Sequence, residues 1–207
     1  MGRVTGLDPD PRRPAAVRVH EDGAHAFTVA REAAARLGLV VGRELDLGLR
    51  HALQEAADTE AALRAALRLL GARAHAVAEL GRRLGRKGHQ PAAVQAVLER
   101  LAADGLLDDA AFARSFVERG AGRGRGPARL RRDLLARGVA RADIDAALGA
   151  WLARSGEEPA PPRELLERRA RALAGLPAPM RRRRLLAFLA RRGYRGAAAR
   201  RAVAQVA

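Results

Sequence analysis

Two leucines four residues apart, followed four residues later by a glycine and then by a further apolar stripe at fixed offsets, recur as three copies along this chain. The copies are Leu80, Leu84 and Gly88; Leu130, Leu134 and Gly138; Leu185, Leu189 and Gly193. Leucines at i and i+4 lie on one face of a helix. A glycine after them supplies the left-handed residue that ends a helix without a Cβ clash. The likeness continues past each glycine at the same offsets, as Val94, Leu98 and Leu101, as Ile144, Leu148 and Trp151, and as Ala199, Val203 and Val206. Each set has helical spacing and predicts a second apolar stripe. The periods are 138 − 88 = 50 and 193 − 138 = 55 residues, the longer one containing a proline-rich insert. Such a recurrence restricts the chain to tandem copies of one helical unit.

The remaining segments fall around these copies. Residues 1–14 hold three prolines and little apolar surface, which predicts a disordered tail. Residues 15–57 read as a small α/β module. Val17 and Val19 alternate with charged residues, Asp22-Gly23 marks a hairpin turn, and Phe27 and Val29 lie on the far side. Helical pattern runs from Ala30 to Leu37 and from Glu44 to Ala57. The first three-helix repeat is expected over 58–104, with Asp58 or Thr59 capping its first helix and Gly71 ending it. The second is expected over 105–154, with Asp108 as an N-cap, Asp109 in the first turn, and a Gly/Arg loop from Gly120 to Gly126. Ser155 to Pro162 reads as a linker. The third repeat, 163–207, is rich in arginine. The fold class is therefore mainly α, with tandem three-helix repeats behind an N-terminal α/β hairpin module.

Charge narrows the partners. The net charge is +16, Lys87 is the one lysine, and residues 161–207 carry 13 arginines against Glu164 and Glu167. Such a surface attracts polyanions or acidic proteins. The basic residues recur at matching places in the repeats. They are Arg82, Arg83, Arg86 and Lys87; Arg129, Arg131, Arg132 and Arg137; and Arg181, Arg182, Arg183 and Arg184 with Arg191 and Arg192. Arg123 and Arg125 add two more from the Gly/Arg loop. With aromatics at 3%, base stacking on a single strand is disfavoured. No helix offers an Asn/Gln/Arg set for reading base edges, so DNA contact is expected through phosphates with little sequence preference.

Enzymatic chemistry finds no constellation. The histidines at 20, 25, 51, 75 and 89 form no HExxH, and Ser115 and Ser155 lie in no Gly-x-Ser-x-Gly elbow. The Gly/Arg loop lacks the Lys-Ser/Thr of a phosphate loop. Cysteine is absent, which removes disulfides and thiolate metal sites, and no apolar run approaches the roughly 18 residues of a membrane span. The expectation is a cytoplasmic, monomeric, non-enzymatic protein without cofactor or metal.

Several strings resemble the RecX family of regulatory proteins. They are Ala66-Leu67-Arg68-Leu69-Leu70 with Arg73, then Glu79-Leu80, Leu84-x-x-Lys87-Gly88 and Val97-Leu98-x-x-Leu101. They continue with Gly105-Leu106-Leu107-Asp108-Asp109-x-x-Phe112-Ala113, Gly126-Pro127, Leu134-x-x-x-Gly138 and Ile144-x-x-Ala147-Leu148. The Gly-Leu-Leu-Asp-Asp string is the most specific. His75-Ala76 stands where the family often has a serine, and the Gly/Arg loop replaces a segment usually richer in lysine. The resemblance implies a curved, elongated array of three-helix repeats that lodges in the groove of a RecA filament. It also implies inhibition of the recombinase's ATPase and strand exchange, and restraint of recombination, repair and the SOS response. The rival reading is a sequence-nonspecific basic DNA-binding protein that acts without RecA.

Overall fold

A computed structural model of the chain describes residues 2–155 and 160–206. Strands come first: β1 (Gly2–Asp10), β2 (Arg13–Glu21) and β3 (Ala24–Ala30), then the short helix α1 (Arg31–Arg36) and β4 (Glu44–Leu45). The antiparallel sheet has the order β3-β2-β1-β4. The hairpin turn falls at the expected place, with Asp22 at φ 49° and Gly23 at φ 87°. Two successive positive φ angles make the turn whose twist matches its strands.

The tail expectation for 1–14 is wrong. β1 is an inner strand, pairing with β2 through Val4↔Glu21 to Asp10↔Arg13 and with β4 through Gly2↔Leu45. Its anchor is Val4, fully buried with Val19, Phe27, Val29, Leu45, Leu49 and Leu53. Two apolar residues, Val4 and Leu7, among glycines, prolines and charges are too weak a pattern to announce a strand. Its ladder partners on both sides supply what the side chains lack.

The helix α2 (Leu47–Ala72) starts at Asp46, whose carboxylate accepts from the Leu49 N–H at 2.7 Å. It runs unbroken for 26 residues, through the boundary expected at 57/58 and past Gly71. Asp58 does cap a helix, but another one. From mid-α2 its carboxylate accepts from the Gln90 N–H at 2.8 Å and meets His89 Nδ1 at 2.9 Å. Gln90 is the N-cap residue of α4 (Pro91–Ala103), which follows α3 (Val77–Gly85). Thr59 Oγ1 bonds back to the Glu55 carbonyl at 2.9 Å, the usual way a threonine is accommodated inside a helix. Asp58→Ala should cost about 1–2 kcal/mol through the lost cap, read as a shift in urea midpoint at unchanged slope.

The later repeats follow the expected plan. The second comprises α5 (Asp109–Gly122), α6 (Pro127–Leu135) and α7 (Arg141–Ser155). The third comprises α8 (Arg163–Arg171), α9 (Ala178–Arg192) and α10 (Gly196–Ala204). Asp108 caps α5 by accepting from the Ala111 N–H at 2.9 Å. The Gly/Arg loop is shorter than expected, because α5 continues through Gly120 to Gly122. The middle of the expected linker, 156–159, lies outside the described residues; Pro161 beside it is buried.

All six recurring leucines are fully buried, and the three terminal glycines adopt φ of 90°, 88° and 92° at Gly88, Gly138 and Gly193. In the second and third repeats the next helix buries Ile144 and Leu148, and Ala199 and Val203, as the spacing predicts. In the first repeat Leu101 is buried as the spacing predicts, but Ala93 and Val97 are buried in place of their neighbours Val94 and Leu98, which are half-buried. The chain divides into two compact units, residues 1–75 with 79–107, and 76–78 with 108–207.

Candidate functional site

Within the second unit, the third repeat is joined to the second by backbone. The N–H of Gly126, N-cap of α6, donates to the Arg192 carbonyl at 2.7 Å, and the Ala128 N–H donates to the Gly193 carbonyl at 3.3 Å. The first N–H groups of a helix have no partner inside it, and neither do the last carbonyls. Here the start of α6 and the end of α9 satisfy each other, with opposite ends of two helix dipoles adjacent. Pro127 has no N–H to leave over. The approach demands two glycines. A Cβ on Gly126 would lie 2.5 Å from the Gly193 carbonyl group, and one on Gly193 would lie 2.3 Å from the Arg129 nitrogen.

This seam assembles a cleft of about 460 Å³, lined by Arg123, Arg125, Arg129, Phe188, Arg191 and Arg192. Arg123 follows the end of α5, Arg125 lies in the loop and Arg129 in the first turn of α6, while the other three belong to the end of α9. Asp133, one turn beyond Arg129, pairs with it at 2.8 Å and with Arg125 at 3.4 Å. Arg192 is held from two sides. Its Nη1 donates to the carbonyls of Arg123 and Gly124, each at 3.4 Å, and its guanidinium lies 5.1 Å from the Phe188 ring centre. Arg169 approaches the same ring at 5.7 Å. Arg123 and Arg191 stand exposed on opposite walls. Five guanidinium groups thus face one carboxylate, leaving a concentrated positive field. Tyr194, next to Gly193 at the helix turn, is buried in the core of the third repeat, and burial pushes its phenol above the ordinary range.

The other expected contact residues are placed differently. Arg131 is tied to Asp145, and Arg137 donates to the Asp133 carbonyl at 2.6 Å and lies 4.7 Å over the Phe116 ring, which makes it a packing residue. Arg132, Arg182, Arg183 and Arg184 are exposed, and Arg181 is half-buried one turn before Leu185. Arg82, Arg83, Arg86 and Lys87 lie in the first unit, at the end of α3 and just past it, with Arg83 3.7 Å from Glu79. Phe188 is the cleft residue the sequence did not announce. Its signal was Arg192 one turn further on, on the same face.

Asp109 also does more than sit at a helix start. It accepts from the Val77 N–H at 2.9 Å, and burial pushes its carboxyl above the ordinary range. Among the described residues, no group of three His, Cys, Asp or Glu could hold a metal ion. No helix among them is long and apolar enough to cross a membrane.

Family models match all three repeats. The first three-helix domain of RecX matches residues 62–101, the second 108–148 and the third 163–203, together more than half of the chain. The chain belongs to the RecX family. A Regulatory protein RecX of Halorhodospira halophila is 44% identical over 143 residues, 67% of this chain and 83% of that protein. One from Pseudomonas putida is 46% identical over 92 residues, 44% of this chain and 59% of that protein. A crystal structure of regulatory protein RecX aligns with all of this chain and 98% of its own, at TM-score 0.73 and 22% identity. RecX from Lactobacillus salivarius aligns over 72% of this chain at TM-score 0.58 and 16% identity. At those identities the two structures speak for the RecX fold alone.

Proposed function

We propose that this RecX-family protein binds the RecA recombinase and its filament on DNA, and slows ATP hydrolysis and strand exchange. Recombination, repair and the SOS response would be restrained as a result. The observation that carries the reading is the five-arginine cleft at the seam of two RecX repeats, a cationic feature suited to a protein-coated nucleic acid. Tandem repeats add a physical advantage. Once one repeat is engaged on a repeating partner, the next contact is intramolecular and gains from effective concentration. The protein is read as a monomer of the cytoplasm, without a reaction or cofactor of its own.

The experiment is RecA-dependent ATP hydrolysis on single-stranded DNA with this protein added below the RecA concentration. The rate should fall, and the fall should steepen at low salt because the contacts are ionic. An unchanged rate across a salt series, with DNA affinity the same whether RecA is present or absent, would make the protein a general DNA binder instead.

A further inference from the structure

We propose that the cleft between α6 and α9 is a clamp for successive phosphates of one nucleic-acid strand, closed from both sides by two repeats. The assignment takes its setting from the function proposed above but names a partner for the cleft alone. Three features carry it. The first is charge: the lining supplies five guanidinium groups, and Asp133 answers only Arg125 and Arg129. The second is order before binding. Arg129 is held by Asp133 at 2.8 Å, and Arg192 by two carbonyls and a ring face. A guanidinium fixed through some of its donors can offer the others to a phosphate oxygen with little further ordering. The third is division of labour across the seam. Arg123, Arg125 and Arg129 come from the second repeat and Arg191 and Arg192 from the third, so an occupant must bridge both.

Like charges gathered from two repeats repel one another, and a polyanion removes that repulsion. Binding should therefore also tighten the seam. The amides of Gly126 and Ala128, which close it, should exchange more slowly when a strand is bound. A strand suits the cleft better than an acidic peptide does. Phosphates take the planar fork of arginine in pairs, and a chain of them carries charge in regular succession past both walls.

The test uses the full chain and a labelled oligothymidylate, without RecA, so that it can fail independently of the recombinase reading. Arg123→Ala with Arg191→Ala removes one exposed guanidinium from each wall. Arg195→Ala with Arg200→Ala removes the same charge from exposed positions of the third repeat outside the cleft. The cleft pair should lose about tenfold or more in affinity at low salt. Its log–log salt slope should fall by about 1.4, from roughly 0.7 for each strand phosphate released. The control pair should change far less, and strand-induced protection of Gly126 and Ala128 should vanish only in the cleft pair. Equal losses in the two pairs would overturn the clamp and leave bulk charge. Displacement of the strand by inorganic tripolyphosphate at equal phosphate concentration would overturn it in favour of a free-polyphosphate site. A cleft pair that binds the strand as tightly as the unaltered protein would overturn it outright.

Discussion

Gly193→Ala should destabilise the second unit by about 3–4 kcal/mol, whereas Gly88→Ala should cost the first repeat only about 1 kcal/mol. The two glycines hold the same place in their repeats and nearly the same backbone, at φ of 92° and 90°. For an L residue that conformation costs roughly 1–2 kcal/mol. Around Gly88 a new Cβ would meet nothing within 4 Å. At Gly193 it would lie 2.3 Å from the Arg129 nitrogen, 2.5 Å from the Arg129 Cβ and 2.8 Å from the Gly126 carbonyl oxygen. Backbone cannot rotate away as a side chain can. The seam must open, and the bonds from Gly126 and Ala128 are lost at about 1 kcal/mol each. Urea unfolding of both variants, followed by circular dichroism, measures the contrast. Hydrogen exchange at Gly126 and Ala128 should rise in the Gly193 variant alone. Similar costs in the two variants would mean that the close approach contributes nothing. Opening the seam should also weaken strand binding, since Arg191 and Arg192 would leave Arg123, Arg125 and Arg129.

What the sequence announced and what it hid divide along a physical line. The repeats were legible because burial by helices leaves a local signature. Leu130, Leu134 and Gly138 lie within nine residues, and their spacing alone encodes a face and a stop. The Asp22-Gly23 turn is equally local. The strand β1 was hidden because its stability comes from ladders on both edges, to β2 on one side and to the distant β4 on the other, rather than from its own side chains. Asp58 misled because a good cap residue in mid-helix has the same identity as one at a helix start; its true partner is 32 residues away at Gln90. The arginines could be named but not sorted. Arg192 and Arg123 are 69 residues apart, and only the seam brings them to one cleft while Arg131 is taken up by Asp145. Phe188 packs against the core of its repeat beside Leu185 and Leu189, and its ring also forms a wall of the cleft.

The N-terminal unit holds the second large effect. Glu60 on α2 is 3% exposed and forms an ion pair with Arg13 at the start of β2. Arg64 and Arg100 add favourable charge, yet burial, with the Asp10 carboxylate nearby, outweighs the three arginines and pushes the Glu60 carboxyl above its ordinary value. Removing one partner of a buried pair strands the other, which costs about 3–5 kcal/mol. Arg13 keeps some contact with water, so Arg13→Ala should fall near the lower end, about 3 kcal/mol at neutral pH. The sign with pH follows from the raised value. The folded state holds this proton more tightly than the unfolded one, so the contribution is fully present below the ordinary carboxylate pKa. It is lost as pH rises through the raised one. Taking away Arg13 removes the largest influence opposing burial, which raises that value further and widens the window. The deficit of Arg13→Ala should therefore shrink from about pH 7 to about pH 4.5, and Glu60→Gln in the same chain should recover most of it at neutral pH. Thermal melts of wild type, Arg13→Ala and the double variant over that range decide the matter. A deficit that is small, independent of pH or untouched by Glu60→Gln would show that the sheet is fastened to α2 by its apolar face alone.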